Sequence, residues 1–231
     1  MLKFLKWFLG LILLLLIAAL AFVYFSTYHP KALEPMPVVS PASAPRLRAG
    51  QTLKALSWNI QYLAGKDYIF WYDLPDGSGP DIQPSSQAIA ATVEGVARII
   101  TQENPDIILL QEVDENARRS YYEDQLKKLL TLLPAAYCCY TEAFYWKAAY
   151  VPHPKVQGRV GMKLVVLSKY QMQSAWRHQL ALIERKHWYD WVEQQFNLKR
   201  ALQEVYLPVE GGRELVVGNT HLSAFAQGTN N

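Results

Sequence analysis

The stretch Asn104–Val113, N-P-D-I-I-L-L-Q-E-V, contains the clearest fold signal in this sequence. Its asparagine-proline pair stops a helix, and its apolar run D-I-I-L-L is typical of a short buried strand. The polar pair Gln111-Glu112 follows that run directly. Because α/β sheets bind their ligands at the ends of strands, this stretch predicts both a strand of the fold and a candidate site.

Helix and strand patterns surround this stretch. Apolar residues recur at helical spacing from Ile89 to Ile100, behind Ser85 and Ser86 as N-cap candidates. Further strands are predicted over Leu53 to Ile60, Met162 to Ser168, Arg200 to Val209 and Leu215 to Thr220, and a second helix over Leu126 to Leu133. The turn residues Gly211-Gly212 join the last two strands as a hairpin. Strand, helix and strand in this order predict a layered α/β domain.

The amino terminus is strongly apolar. Trp7 to Phe25 contains no charge and approaches the roughly 20 residues that a membrane-spanning helix needs. Lys3 and Lys6 before it also suit a cleaved secretory signal, but the run is longer than a usual signal core and ends in bulky residues such as Phe25. We therefore predict a transmembrane anchor over residues 1–25, with the amino terminus inside and the domain on the periplasmic or extracytoplasmic side.

Two segments are predicted to lack regular structure. Residues 26–50 contain five spaced prolines and few apolar side chains, which predicts a semi-rigid tether between the anchor and a domain over 51–231. Between the first strand and Pro84 lies a long polar and aromatic loop, which includes Tyr68–Tyr72, Y-I-F-W-Y. Loops of this length in compact domains are often functional.

The charge distribution argues against a nucleic-acid-binding face. The formal net charge is +3, and two of the basic residues, Lys3 and Lys6, precede the apolar run. The rest of the chain carries 21 basic and 20 acidic residues, scattered in pairs such as Lys127-Lys128. Proteins that bind by neutralising phosphates show a clustered basic surface, which this sequence lacks.

Short clusters of polar residues lie at the carboxyl ends of three predicted strands. Asn59 lies at the end of the first strand, Glu112 follows D-I-I-L-L, and Asn219 and His221 follow L-V-V-G. Each alone also suits a turn cap, a solvated surface residue or a core-edge histidine. Their co-occurrence at strand ends, in a fixed order with matching context, favours a shared site.

Four motifs together resemble the endonuclease/exonuclease/phosphatase superfamily. They are S-W-N-I, N-P-D-I-I-L-L-Q-E-V, G-M-K-L-V-V-L-S-K-Y and L-V-V-G-N-T-H-L, which span Leu53 to Leu222. The resemblance implies a DNase I-like layered α/β sandwich. It also implies a metal-dependent hydrolase of phosphoesters.

The resemblance assigns roles to individual residues. Glu112 matches the metal-binding carboxylate, a hard ligand suited to Mg²⁺, with Mn²⁺ as the alternative ion. Asn59 matches the asparagine that lies beside the metal. His221 matches the histidine that contacts the scissile phosphate, and Asn219 is a candidate supporting residue on the same strand face.

The chain departs from the family pattern after T-H-L. The family continues with a G-D-x-N motif and an aspartate-histidine pair that works on the attacking water, and neither occurs in this sequence. Asp114-x-Asn116 has similar spacing but directly follows Glu112, which suits a helix-capping loop instead. We therefore expect a C-terminally incomplete member that hydrolyses phosphodiesters poorly or not at all.

The resulting functional prediction is a phosphodiester hydrolase, and the anchor favours a membrane-proximal, phospholipid-type substrate. A nuclease of the same family is the first alternative. A non-catalytic anchored module is the second, using aromatic segments such as Tyr68–Tyr72 and His187–Trp191 as contact surfaces.

Overall fold

The fold is a two-sheet sandwich with helices on one outer face and a long amino-terminal helix. The computed structural model describes residues 2–74, 76–182, 184–185 and 187–222. The helices are α1 (Leu2–Ser26), α2 (Ser86–Glu103), α3 (Gln125–Leu132) and α4 (Asp190–Phe196). The strands are β1 (Leu33–Pro35), β2 (Val38–Val39), β3 (Ala55–Asn59), β4 (Ile107–Asp114), β5 (Cys139–Val151), β6 (Gly158–Ser168), β7 (Ser174–Gln179), β8 (Ala201–Val209) and β9 (Arg213–Thr220).

The strands form one sheet of five and one of four. The first sheet has the order β2-β5-β6-β4-β3, in which β3 and β4 are parallel and the other pairs are antiparallel. The second has the order β1-β7-β8-β9 and is antiparallel throughout. This mixed arrangement confirms the predicted layered α/β sandwich.

Two apolar cores hold the layers together. One lies between the five-stranded sheet and α2 and α3, where Ile100, Leu110 and Leu129 are almost completely buried. The other lies between the two sheets, where Val166 of β6 packs in the same cluster as Val205 of β8. Burial of apolar surface on both faces of the five-stranded sheet explains why β4 and β6 are continuous apolar runs.

The segment predicted as a tether instead contributes to both sheets. β1 pairs with β7, β2 pairs with β5, and Leu47 is buried with 2% exposure. Both strands lie at sheet edges, where proline is tolerated because one side of the strand makes no ladder hydrogen bonds. Proline content alone therefore did not distinguish an edge strand from a free linker.

Local signals set several element boundaries. The Ser85 hydroxyl accepts a hydrogen bond from the Ala88 N–H and caps α2, whose C-cap Asn104 is left-handed. Asp124 caps α3 in the same way. The predicted capping role for Asp114 is wrong: Asp114 is buried in β4 and receives two hydrogen bonds from Arg119.

A short, well-bonded junction links α1 to the sandwich. Thr27 forms a β-bridge with Ala148 of β5, and its hydroxyl donates to the Val23 carbonyl at 2.9 Å. His29 stacks on Tyr24, with ring centroids 4.2 Å apart. α1 also contacts α4. The helix therefore enters the domain directly, without a flexible spacer.

Candidate active site

The topology brings the three polar groups to one edge of the sandwich. β3 and β4 are parallel neighbours with Asn59 opposite Gln111, so the carboxyl ends of both strands lie at the same edge. His221 directly follows β9 in the other sheet. The hairpin of β8 and β9 carries it across to the end of β3.

Asn59, Glu112 and His221 are in mutual contact. Asn59 Nδ2 donates to Glu112 Oε1 at 3.0 Å and lies 3.2 Å from His221 Nε2, which is 3.4 Å from the same carboxylate oxygen. The Gln61 N–H donates to Asn59 Oδ1 at 2.9 Å, which fixes the orientation of the amide. The structure thus places all three predicted site residues together, with two nitrogens converging on one carboxylate oxygen.

A β-bulge in β4 positions Glu112. The pairing of β4 with β6 shifts between Leu110 and Val113, and Glu112 has φ +58°. A positive φ is uncommon for a residue other than glycine, and bulges of this kind redirect side chains beside active sites. The bulge breaks the strand alternation: Gln111 faces Asn219 of the other sheet, Val113 lies in the core under α2 and α3, and Glu112 remains between them at the sheet edge.

Arg200 anchors the backbone of His221 and lies next to its ring. Arg200 Nη1 donates to the His221 carbonyl at 2.7 Å and lies 3.3 Å from Nδ1. A guanidinium group and an amide NH2 group only donate hydrogen bonds, and Asn59 Nδ2 lies 3.2 Å from Nε2. Both ring nitrogens therefore face donors, and a neutral imidazole can accept from only one of them. Burial lowers the pKa of His221, Arg200 adds to the effect and Glu112 opposes it. The lowered pKa favours a neutral imidazole, whose Nε2 lies next to both Glu112 and Asn59.

Tyr145 lies beneath this histidine. The centroids of the two rings are 5.7 Å apart, and the Tyr145 hydroxyl has no hydrogen-bond partner among the described residues. Burial raises the pKa of this phenol well above its usual range, and the charge of Glu112 adds to the increase. Tyr145 is therefore a neutral hydroxyl at the base of the site.

Asn219 joins the two sheets below the site. Its amide donates to the Leu110 carbonyl at 3.0 Å and to the Val165 carbonyl at 3.1 Å, and its oxygen accepts from Gln111 at 2.7 Å. With 1% exposure it does not face solvent, so it supports the strand ends that carry Glu112 and His221.

The aromatic loop packs next to the site through Arg119. The Arg119 guanidinium carbon lies 3.6 Å from the centre of the Tyr62 ring, and the Tyr62 and Tyr72 hydroxyls are hydrogen bonded to each other. Burial raises the pKa of both phenols, although Arg119 opposes the shift. Phe70 is 1% exposed, so part of the predicted Tyr68–Tyr72 surface is core.

The residues of this site suit a hydrated cation, which keeps most of its water ligands when bound. No cluster of three or more histidine, cysteine, aspartate or glutamate side chains suited to a metal occurs in the part of the chain that the structure describes. Glu112 offers a single carboxylate, and Mg²⁺ commonly binds through one or two carboxylates together with substrate phosphates. The amide oxygen of Asn59 accepts from the Gln61 N–H and its nitrogen donates to Glu112, so Asn59 orients the carboxylate in this structure.

Comparison with known proteins identifies the family. A model of the Endonuclease/Exonuclease/phosphatase family matches residues 56–207, about two thirds of the chain. The chain belongs to this family. A comparison with curated protein sequences found no match.

Three solved structures illustrate the similarity of this chain to known folds. An endonuclease/exonuclease/phosphatase from Beutenbergia cavernae is 23% identical, with a TM-score of 0.47 over 74% of this chain and 38% of that one. TDP2 from Caenorhabditis elegans is 19% identical, with a TM-score of 0.39 over 81% of this chain and 39% of that one. ANGEL2, described as a 2′,3′-cyclic phosphatase, is 14% identical, with a TM-score of 0.41 over 82% and 44%. The chain thus spans less than half of these three structures.

The endonuclease/exonuclease/phosphatase match contains Asn59, Glu112 and Arg200 but ends before His221. Sequence reasoning missed Arg200 and Tyr145. Hairpin register could have found Arg200, because Leu202 pairs with Thr220 and the residue two positions earlier must lie beside the end of β9. No local pattern marks Tyr145, which reaches the site through the alternation of a strand that was not predicted.

Proposed function

We propose that this chain supplies the metal-binding and phosphate-contacting half of a phosphodiester hydrolase. The observation that supports the proposal best is the convergence of Asn59 and His221 on the Glu112 carboxylate at the edge shared by both sheets. A carboxylate and hydrogen-bond donors around one point suit the binding of a phosphoester through a hard cation.

The side chains divide the tasks. Glu112 would hold Mg²⁺, or Mn²⁺ in its place, and such an ion neutralises charge on the phosphoester when bound. The 3.4 Å contact of His221 Nε2 with Glu112 is too long for a strong hydrogen bond, so in the tautomer protonated at Nε2 this nitrogen would donate to a non-bridging phosphate oxygen. Arg200 holds the backbone of His221 in place through the hydrogen bond to its carbonyl.

Water activation is the task without a candidate. The resemblance assigns it to an aspartate-histidine pair, and that dipeptide does not occur in the sequence. A positioned general base contributes roughly 10² to 10⁴-fold to such reactions. We therefore propose that the 231 residues alone turn over phosphodiesters slowly.

A hydrolysis assay tests both parts of this proposal. The chain would be compared with a version extended by a family-like carboxyl-terminal segment, using bis(p-nitrophenyl) phosphate and Mg²⁺. The extended version should be faster, and Glu112→Gln should abolish its turnover, whereas the exposed α2 variant Glu94→Gln should not change it. Equal turnover of the chain and its extended version would contradict the assignment of water activation to the added segment.

We also propose that α1 anchors the domain in a membrane. This helix is long enough and apolar enough to cross a bilayer, and a cleaved signal sequence would have the same properties. The proposed orientation has the amino terminus inside. If high salt or carbonate releases the protein, or its mature amino terminus begins near Ser26, the anchor is excluded.

Because of this attachment, the substrate that we propose is a membrane-proximal, phospholipid-type phosphodiester. The direct contact of α1 with β5 keeps the domain close to the proposed bilayer, and the near-neutral charge disfavours nucleic acid. Extended protein would be offered vesicle phospholipid and duplex or single-stranded DNA in parallel. Preference for DNA would favour the nuclease alternative, and activity on neither would favour an anchored module without catalysis.

A further inference from the structure

An exposed apolar surface lies at the start of α4. Trp188 is 89% exposed, Tyr189 is 56% exposed and Val192 is 42% exposed. We call these three residues the α4 face. Side chains of this size are usually at least partly buried in a domain that has no partner, so a cluster this exposed indicates a contact surface.

α4 itself is firmly attached to the sandwich. Trp146 Nε1 of β5 donates to the Phe196 carbonyl at 2.7 Å, and Phe196 packs against the buried cluster of Ala148, Val151 and Val160. Ala148 is also the residue to which Thr27 bridges at the end of α1. The α4 face and the helix end are therefore carried by the same part of β5.

The surroundings of the helix end are complementary to lipid head groups. A cavity of about 280 Å³ at the base of α1 is lined by Phe25, Lys147 and Arg159 among other residues. Neither of these two cations forms an ion pair with any residue that the structure describes, whereas Glu115 on the cavity wall pairs with Lys163. Exposed cations beside an apolar helix end favour contact with lipid phosphates.

We propose that the α4 face rests on the lipid bilayer that α1 spans. This inference depends on the membrane attachment proposed above. The 25 residues of α1 extend roughly 37 Å, longer than the ~30 Å hydrocarbon core, so its end emerges among the head groups. Because Thr27 is bonded to β5 without a spacer, α4 is held at the same depth, where tryptophan and tyrosine are preferred.

Site-directed fluorescence on the full-length chain in phospholipid vesicles tests the proposal. The two cysteines, Cys138 and Cys139, would be replaced by alanine, and an environment-sensitive label attached to Trp188→Cys. A label at Ile99→Cys, a 40% exposed position on α2, serves as the matched surface control. A third label at Leu14→Cys, in the middle of α1, reports whether the helix is inserted. Thermal unfolding of each variant verifies that it is folded.

The three labels separate the possible outcomes. The label at position 188 should be quenched by head-group nitroxide lipids and protected from aqueous iodide, while the label at position 99 shows the reverse. If the label at position 14 is quenched by deep nitroxides but that at 188 is quenched by iodide, the α4 face does not contact lipid and the inference fails alone. If position 188 is protected from both quenchers, a protein covers the face and the inference is also overturned. If position 14 is not quenched by deep nitroxides, the membrane attachment itself fails.

Discussion

The backbone of Glu112 has an unusual conformation, and this conformation explains why its carboxylate lies at the sheet edge. Its positive φ lies within the bulge of β4, next to the buried Gln111 that bonds to Asn219. The backbone strain at such a residue costs of order 1–3 kcal/mol and persists because the surrounding sheets fix both neighbours. Glu112 is thereby held at the sheet edge before any ligand binds.

Metal affinity should depend on the Glu112 charge. We expect Glu112→Gln to weaken Mg²⁺ or Mn²⁺ binding by at least about tenfold, which is about 1.4 kcal/mol, because no second carboxylate cluster in the described part of the chain replaces it. Isothermal calorimetry measures the effect. Glu94→Gln, which removes an exposed carboxylate on α2, should leave the affinity unchanged; equal affinities for all three proteins would contradict the role of Glu112.

A buried lysine should matter more for stability than exposed ones. Lys163 Nζ is completely buried and lies 2.7 Å from Glu115 and 2.6 Å from Glu142. Burial lowers the pKa of Lys163, but the two glutamates together with Asp124 outweigh that effect and raise it. We expect Lys163→Met to destabilise the protein by about 2 kcal/mol, below the usual figure for a broken buried pair because both carboxylates are a third exposed.

The exposed ion pair of Lys54 with Glu103 provides the control for that measurement. Both side chains are 55% exposed, so Lys54→Met should change the free energy of unfolding by less than about 1 kcal/mol. Denaturant unfolding in mild detergent compares the two variants. A smaller effect for Lys163→Met than for Lys54→Met would show that the buried network contributes little.

At the level of elements, the sequence predicted the elements with strong local signals. α2 was recognisable from its apolar spacing and its capping serine, and β4 from its apolar run. β5 was missed because its thirteen residues combine aromatic, small and charged side chains, and the alternation is visible only when one face is buried. The bulge that orients Glu112 was also missed, since it depends on pairing with β6, about 50 residues further along the chain.

Two glycine substitutions should have opposite effects on stability. At Gly161 in β6, an added Cβ would lie 2.1 Å from the Glu115 carbonyl oxygen, so Gly161→Ala should destabilise by about 1–3 kcal/mol. At Gly95 in α2, the nearest atom is 4.0 Å away, so Gly95→Ala should stabilise the helix by about 0.5–1 kcal/mol. Thermal melts of both variants check the pair, and a stable Gly161→Ala protein would refute the close approach of Gly161 to the Glu115 carbonyl.

At the level of the whole molecule, the amino-terminal segment is part of the domain. The sequence placed the start of the domain near Gln51, whereas β1, β2 and the buried Leu47 lie before it. Composition could not show this, because edge strands need few apolar residues and tolerate proline. Their partners, β7 and β5, are recognisable only from the pairing.

Removal of this segment tests its contribution to the fold. A chain that starts at Gln51 should lose cooperative unfolding and aggregate, because both sheets lose an edge strand and the cavity left by Leu47 opens the core between them. A chain that starts at Thr27 keeps these strands and should unfold cooperatively. Differential scanning calorimetry distinguishes the two, and a sharp transition for the shorter chain would show that residues 27–50 are dispensable.

The pairing partners of β1 and β2 also affect when these strands can fold during synthesis. Val38 pairs with Thr141 and Leu33 with His178, partners that are separated by roughly 100 and 145 residues along the chain. Contacts between such distant residues form slowly because the intervening loop must close first. These two strands emerge early from the ribosome, but neither can pair until its partner strand, β7 or β5, has also been translated. We therefore expect the first segment of the sandwich to be synthesised to be among the last to fold.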